Sequence, residues 1–327
     1  MKTTPILPMI LLVSIGFDLF AQNLTPGISR QDCTVVPFFV FSNLLLVRAS
    51  VEEREGYFIL DTGAPGLILN KRYFQDGKNF FQKEEVAVGV NGKVEKVLKR
   101  RTALELGTHE WKNVHACLYD LEYLEEAKGI SIIGLLGSLL FRDLELTIDF
   151  ENQQLLLYPL DRNGEHDSDR FGYRLPDVVI PFRQKGHMPF IEANVEGNLL
   201  KLGIDSGAGI GLIIHEKQTA LAPFTEPLDS IRIRGLGQHV LKVMTVNLKE
   251  LTIANLTYSS LKFAFANLSH VNNHFAGIDL DGILGLDLLS QQRTAINFKK
   301  KEIYIWIPAG ADDQFVLLQP GKKEAGY

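Results

Sequence analysis

The sequence predicts an all-β protein made of two lobes related by a pseudo-twofold axis. Three observations carry this. The 327 residues are 46% hydrophobic and 22% charged, too apolar for a disordered chain and long enough for about two domains. The apolar segments are short, β-rich runs bounded by turn residues. An ordered set of motifs occurs twice: Val36-Pro37-Phe38 is echoed by Ile180-Pro181-Phe182 and Asp61-Thr62-Gly63-Ala64 by Asp205-Ser206-Gly207-Ala208, both at an offset of 144 (61 to 205).

Further along, Gly134-Leu135-Leu136-Gly137 is matched by Gly282-Ile283-Leu284-Gly285, and Ile148-Asp149-Phe150 by Ile296-Asn297-Phe298, now at an offset of 148 (134 to 282). The second copy therefore gains a net four residues in its middle. Such an order-preserving match argues for duplication of one unit, and two copies in one chain imply an internal counterpart of a symmetric dimer.

In chain order, residues 1–21 read as a secretory signal. Lys2 supplies the charged start, residues 6–17 are apolar but too short to span a bilayer, and cleavage after Ala21 would leave Gln22 first. Residues 22–160 form the expected N-terminal lobe. Residues 161–177, opening on a polar run without periodicity, read as a flexible linker. Residues 178–308 form the C-terminal lobe and 309–327 a tail.

Within the first lobe, 36–47 reads as one strand, 57–60 and 67–69 as strands flanking the Asp-Thr-Gly turn, and 145–150 with 154–159 as a hairpin. Their second-lobe counterparts are 190–195, 199–204, 212–214, and a hairpin of 294–298 with 302–307. Short apolar helices are expected at 138–141 and 287–291. The apolar run 130–141, bounded by Lys128 and Arg142, is too short for a membrane span and reads as core.

Composition also excludes function classes. Lys+Arg 34 against Asp+Glu 39, with no basic run, leaves no electrostatic footprint for nucleic acid. Two cysteines exclude a disulfide-dense scaffold and a four-cysteine metal site; export would permit a Cys33–Cys117 bond, which the sequence leaves open. His270 and His274 have the spacing of a metal pair but lack a partnering Glu and read as solvated loop. Trp111 and Trp306 read as packing residues. Asp149, matched by Asn297, reads as structural, and Asp287, matched by Leu139, as a local anchor of one lobe.

Average composition predicts on the order of 0.2 chance Asp-[Thr/Ser]-Gly triplets in a chain of this length, so two at matching repeat positions are not incidental turns. These motifs, with Leu135-Leu136-Gly137 and Ile283-Leu284-Gly285, resemble the pepsin/retropepsin-type aspartic proteases over residues 36–307. The chain also resembles the exported bacterial retropepsin-like proteins with two such units. The resemblance implies a central cleft between the lobes, with Asp61 and Asp205 as catalytic residues sharing one proton, because two carboxyls roughly 3 Å apart do not both ionise readily. It implies that Thr62 and Ser206 hydrogen-bond across the lobe interface and that Gly63 and Gly207 let backbone approach the carboxyls. It requires no metal and no cofactor.

Ala64 and Ala208 stand where pepsin-like enzymes place a hydroxyl on the catalytic carboxylate. Its loss implies higher dyad pKa values and a mildly acidic optimum. Pro65 is a further departure, expected to stiffen the turn. A cleft enzyme needs a flap, and Gly89 with Gly92, and Gly235 with Gly237, mark two candidate hairpin tips at an offset of 146 (89 to 235).

The expected function is peptide-bond hydrolysis by an exported, periplasmic or secreted, monomeric endopeptidase. Its partner is a peptide or protein substrate, with no nucleic acid and no membrane after signal cleavage. Two other readings compete: a peptide-binding module on the same fold without turnover, and a two-carboxylate glycosidase, which needs its acids at least ~5 Å apart.

Overall fold

The computed structural model describes residues 33–74, 80–88, 94–166, 173–234, 240–268, 279–308 and 315–317. The signal segment, His270, His274 and the flap glycines Gly89, Gly92, Gly235 and Gly237 lie outside them.

The first half contains β1 (Thr34–Phe41), β2 (Leu44–Val51), β3 (Arg54–Asp61), β4 (Leu67–Asn70), β5 (Phe80–Val88), β6 (Val94–Leu106), β7 (His109–Tyr119), β8 (Gly134–Gly137), β9 (Leu144–Asp149) and β10 (Gln154–Pro159). The second contains β11 (Val178–Pro181), β12 (Arg183–Lys185), β13 (Met188–Val195), β14 (Asn198–Ile204), β15 (Gly211–Ile214), β16 (Thr225–Arg234), β17 (Val240–Ile253), β18 (Leu256–Ala266), β19 (Gly282–Leu284), β20 (Arg293–Asn297), β21 (Glu302–Trp306) and β22 (Phe315–Leu317). Helix is confined to short pieces, among them Glu122–Lys128, Ser138–Phe141 and Leu286–Leu289. The protein is all-β.

The pairings of the first half recur in the second. β3 runs parallel to β8 as β14 does to β19, and β4 parallel to β7 as β15 does to β18. β4 and β8 are antiparallel, as are β15 and β19. Hence the strand leading into each Asp-Thr/Ser-Gly turn lies beside a Gly-apolar-apolar strand, covered on both faces. In the first lobe Phe58, Leu60, Leu67 and Leu136 enter the main core, whereas Ile59, Ile68 and Leu135 enter a cluster on the opposite face. This two-sided burial explains why these strands read as unbroken apolar runs rather than alternating ones. Truncating a side chain as enclosed as Leu60 (0% exposed) would cost about 2–5 kcal/mol.

The lobes share a six-stranded sheet in the order β11-β21-β20-β9-β10-β1. Its central rungs are Ile148–Thr294, Thr147–Ala295 and Leu146–Ile296. Thr147 and Ala295 differ by the repeat offset of 148, and the rungs on either side exchange under it. The pseudo-twofold axis therefore passes between Thr147 and Ala295.

Two sequence expectations change, and a point the sequence left open is answered. Residues 36–47 are two antiparallel strands rather than one: Ser42 and Asn43 turn the chain at φ 50° and 60°, and the apolar run continues on both sides of the turn. The start of the linker is ordered, because residues 161–166 are tied to the second lobe: Asn297 Nδ2 donates to the Gly164 carbonyl at 2.8 Å, and Lys300 pairs with Glu165 at 2.6 Å. Cys33 and Cys117 remain thiols; Cys33 is buried beside Leu156 and Tyr158, and burial pushes it up to about 12.

The core and tryptophan-packing expectations hold. The 130–141 segment supplies Ile132, Leu136 and Phe141 to the core, with only Leu139 strongly exposed among its large side chains. Among the described residues no helix is long and apolar enough to cross a membrane. Trp111 Nε1 donates to the Leu140 carbonyl at 3.1 Å and Trp306 Nε1 to that of Arg174 at 2.9 Å, consistent with packing roles.

Candidate active site

The two aspartates end β3 and follow β14, at equivalent positions in the two lobes. Each turn is closed by its own backbone. Ala64 N–H donates to the Asp61 carbonyl at 3.0 Å, and Ala208 N–H to that of Asp205 at 3.2 Å. Behind each turn, the strand end after the Gly-apolar-apolar element reaches back: Ser138 N–H donates to the Ala64 carbonyl at 3.0 Å and Leu286 N–H to the Ala208 carbonyl at 2.7 Å.

Thr62 and Ser206, both fully buried, join the lobes reciprocally. Thr62 N–H donates to Ser206 Oγ at 3.0 Å, and Ser206 N–H to Thr62 Oγ1 at 2.9 Å. Each hydroxyl then donates across the interface, Thr62 to the Ile204 carbonyl at 3.1 Å and Ser206 to the Leu60 carbonyl at 2.9 Å. Each hydroxyl thus accepts one bond and donates another, and the buried backbone groups it meets are satisfied.

This lock brings each carboxyl against the opposite lobe's glycine. A Cβ added at Gly63 would stand 2.5 Å from Asp205 Cγ, and one at Gly207 would stand 2.5 Å from Asp61 Cγ. Only glycine permits that approach. Backbone amides aim at the carboxyls: Ala64 N–H donates to Asp61 Oδ1 at 2.9 Å, while Gly207 and Ala208 N–H donate to Asp205 Oδ1 at 2.8 and 3.2 Å.

Packed against the opposite glycines, the two carboxyls are close enough to influence each other's ionisation. Both positions retain some solvent exposure, yet protein atoms crowd the carboxyls. That desolvation pushes both pKa values up, Asp61 well above the ordinary carboxylate range because the Asp205 charge faces it, whereas amide donors restrain Asp205. The arrangement suits a pair that holds one proton between two acids.

Two polar residues near the first turn were not singled out from the sequence. Ser138 Oγ lies 3.2 Å from the Ala64 carbonyl and 2.9 Å from that of His187, and His187 Nε2 lies 2.9 Å from the Gly63 carbonyl. Ser138 directly follows a recognisable motif, but nothing in the sequence marks His187. The candidate flap hairpins have paired stems: Val88 pairs with Val94 and Arg234 with Val240, each rung enclosing five residues outside the described set. Asp287 stands beside the second turn, its carboxyl accepting the Leu288 N–H at 3.0 Å.

Residues 47–139 match the family described as aspartyl protease. Among solved structures, the crystal structure of basic 7S globulin from soybean is similar at a TM-score of 0.51 and 8% identity, over 86% of this chain and 96% of that one. At that identity the likeness is one of fold. No curated protein sequence matches the chain. The chain therefore contains a segment, including Asp61, that is similar to the aspartyl protease family, within a two-lobed all-β fold similar to that of the globulin.

Proposed function

We propose that the protein is an aspartic endopeptidase whose Asp61–Asp205 pair activates water against a peptide bond. The observation that carries this is the reciprocal packing of each carboxyl against the opposite lobe's glycine, which sets two crowded acids, one from each lobe, at one interface. In the shared-proton state the ionised carboxyl takes a proton from a water as its oxygen attacks the scissile carbonyl carbon. The protonated carboxyl gives its proton to the carbonyl oxygen, forming a gem-diol. Proton transfer to the amide nitrogen then lets the C–N bond break, and return of a gem-diol proton regenerates the pair. Because the pair titrates as a unit, neither residue alone is the acid or the base.

The backbone supports this chemistry without a side-chain hydroxyl at positions 64 and 208. Amide donors from Gly207 and Ala208 hold one carboxylate, and the Thr62–Ser206 lock keeps the two turns from drifting apart. The stems of the β5–β6 and β16–β17 hairpins supply edges along which an extended peptide could bind by strand addition, with their tips as candidate flaps. The reading is of a monomer, because both halves of the pair lie in one chain. It works outside the cytoplasm, on the strength of the leader over 1–21.

The test is a complex peptide library incubated between acid and neutral pH with the wild type, Asp61→Asn and Asp205→Asn, products being read by mass spectrometry. Internal cleavages made by the wild type and lost in both variants support the reading. Cleavage persisting in either variant overturns it, as does peptide retained but never cut, the outcome for a binding module.

A further inference from the structure

The first aspartate turn is held from the opposite lobe by a side chain outside the pair and its lock. His187 lies at the tip between β12 and β13, where Gly186 turns the chain at φ 59°. Its Nε2 is 2.9 Å from the Gly63 carbonyl. A carbonyl oxygen only accepts, so the ring nitrogen is the donor and carries a proton there. The same peptide unit that presents the Gly63 carbonyl presents Ala64 N–H, which donates to Asp61 Oδ1 at 2.9 Å. That unit is planar and rigid. Fixing its oxygen therefore aims its N–H, and a hydrogen bond at one end polarises the other.

We infer that His187 is a positioning residue for the dyad: its imidazole N–H fixes the Gly63–Ala64 peptide, which in turn holds the Asp61 carboxyl. The inference rests on the proposed peptidase reading. Ser138 completes the brace, its hydroxyl lying between the Ala64 and His187 carbonyls and so linking the turn to the hairpin tip that carries the ring.

The repeat makes this contact specific to one turn. The counterpart of His187 at the offset of 144 is Asn43, at the equivalent hairpin tip of the first lobe. Asn43 also reaches the opposite turn, but through packing: a Cβ added at Gly209 would stand 2.7 Å from Asn43 Cβ and 3.0 Å from its carbonyl oxygen. One lobe presses on its neighbour's turn with an amide residue, and the other bonds its neighbour's turn with an imidazole.

The test compares wild type, His187→Ala and His187→Gln on one cleaved peptide, with ring-nitrogen NMR of the free wild type alongside. His187→Ala should lower kcat about tenfold, the equivalent of one hydrogen bond, and leave KM within about twofold. His187→Gln, which keeps an N–H donor, should recover kcat to within about threefold of wild type. The wild-type ring should carry its proton on Nε2. An alanine variant with unchanged kcat, a glutamine variant no better than alanine, or an Nε2 without a proton would each overturn the inference. Failure of the wild type to cleave any peptide would instead sink the peptidase reading, and the ring nitrogens would still decide whether His187 makes its bond.

Discussion

The two aspartate turns share their backbone and differ in the side chains around it. In both, an alanine amide closes the turn and the residue after the Gly-apolar-apolar strand donates to the alanine carbonyl. That residue is Ser138 in the first lobe and Leu286 in the second, and one position further on the exposed Leu139 is matched in the second lobe by Asp287, a mostly desolvated carboxyl. The first turn receives a hydroxyl and an imidazole; the second receives an asparagine contact and has a second acid beside it. What both lobes keep is the geometry two facing carboxyls need. What diverges is the polar setting of each, so the pair is symmetric in position and asymmetric in environment.

The most severe way to break the symmetric part is to fill the space each carboxyl takes from the opposite glycine. Gly63→Ala and Gly207→Ala should each lower activity by about 100-fold or more, because the carboxyls must separate. Each should also destabilise the protein by about 3 kcal/mol, read by urea unfolding, as expected for overpacking a rigid interface. The lock is next. Thr62→Val or Ser206→Ala leaves a buried amide and a buried carbonyl of the opposite lobe without partners, at a cost of about 2–3 kcal/mol. The two losses should agree within about 1 kcal/mol if the lock is reciprocal.

Much of this was legible in the sequence, and the reasons are local. The repeat exposed the positions of Asp61, Asp205, Thr62 and Ser206, since a pseudo-twofold fold must use matching positions for a shared centre. The hairpins 144–149/154–159 and 293–297/302–306 were legible from short apolar runs with polar turns. The turn at Ser42-Asn43 was not, because two non-glycine residues at positive φ carry no Asn-Gly signature and the apolar run resumes directly after them. Residues 161–166 read as flexible because their polar groups bond to residues more than 130 positions away. His187 was hidden for the same reason: its partner, Gly63, lies 124 residues earlier in the chain.

Asp287 sharpens the asymmetric part. Burial raises its pKa from 3.8 to about 6, against amide donors that lower it. A carboxyl with a raised folded-state pKa favours the folded state most while it stays protonated. Its contribution is therefore full below the ordinary carboxylate value and falls as pH rises through about 6. Discounted for its partly exposed position, the fall amounts to roughly 2 kcal/mol. Asp287→Asn should remove it, so unfolding of wild type and variant followed from pH 4 to 7 should diverge as pH rises; parallel curves would refute the assignment.

The smallest effect tests whether the lobes can exchange solutions. Asp149 accepts from Asn152 N–H at 3.1 Å, as Asn297 accepts from Lys300 N–H at 3.0 Å in the matching hairpin. Asp149→Asn, the second lobe's choice, should change stability by less than about 1 kcal/mol, whereas Asp149→Ala should cost more, since it strands a turn amide.

The central claim is that one proton is shared between two desolvated acids from different lobes. The pH dependence of kcat/KM on a cleaved peptide tests it most directly. The account predicts a bell-shaped profile with its maximum at about pH 4–6, both limbs belonging to the pair, and loss of activity in Asp61→Asn and Asp205→Asn alike. A maximum near pH 2, a rate independent of pH, or a surviving profile in either variant would contradict it.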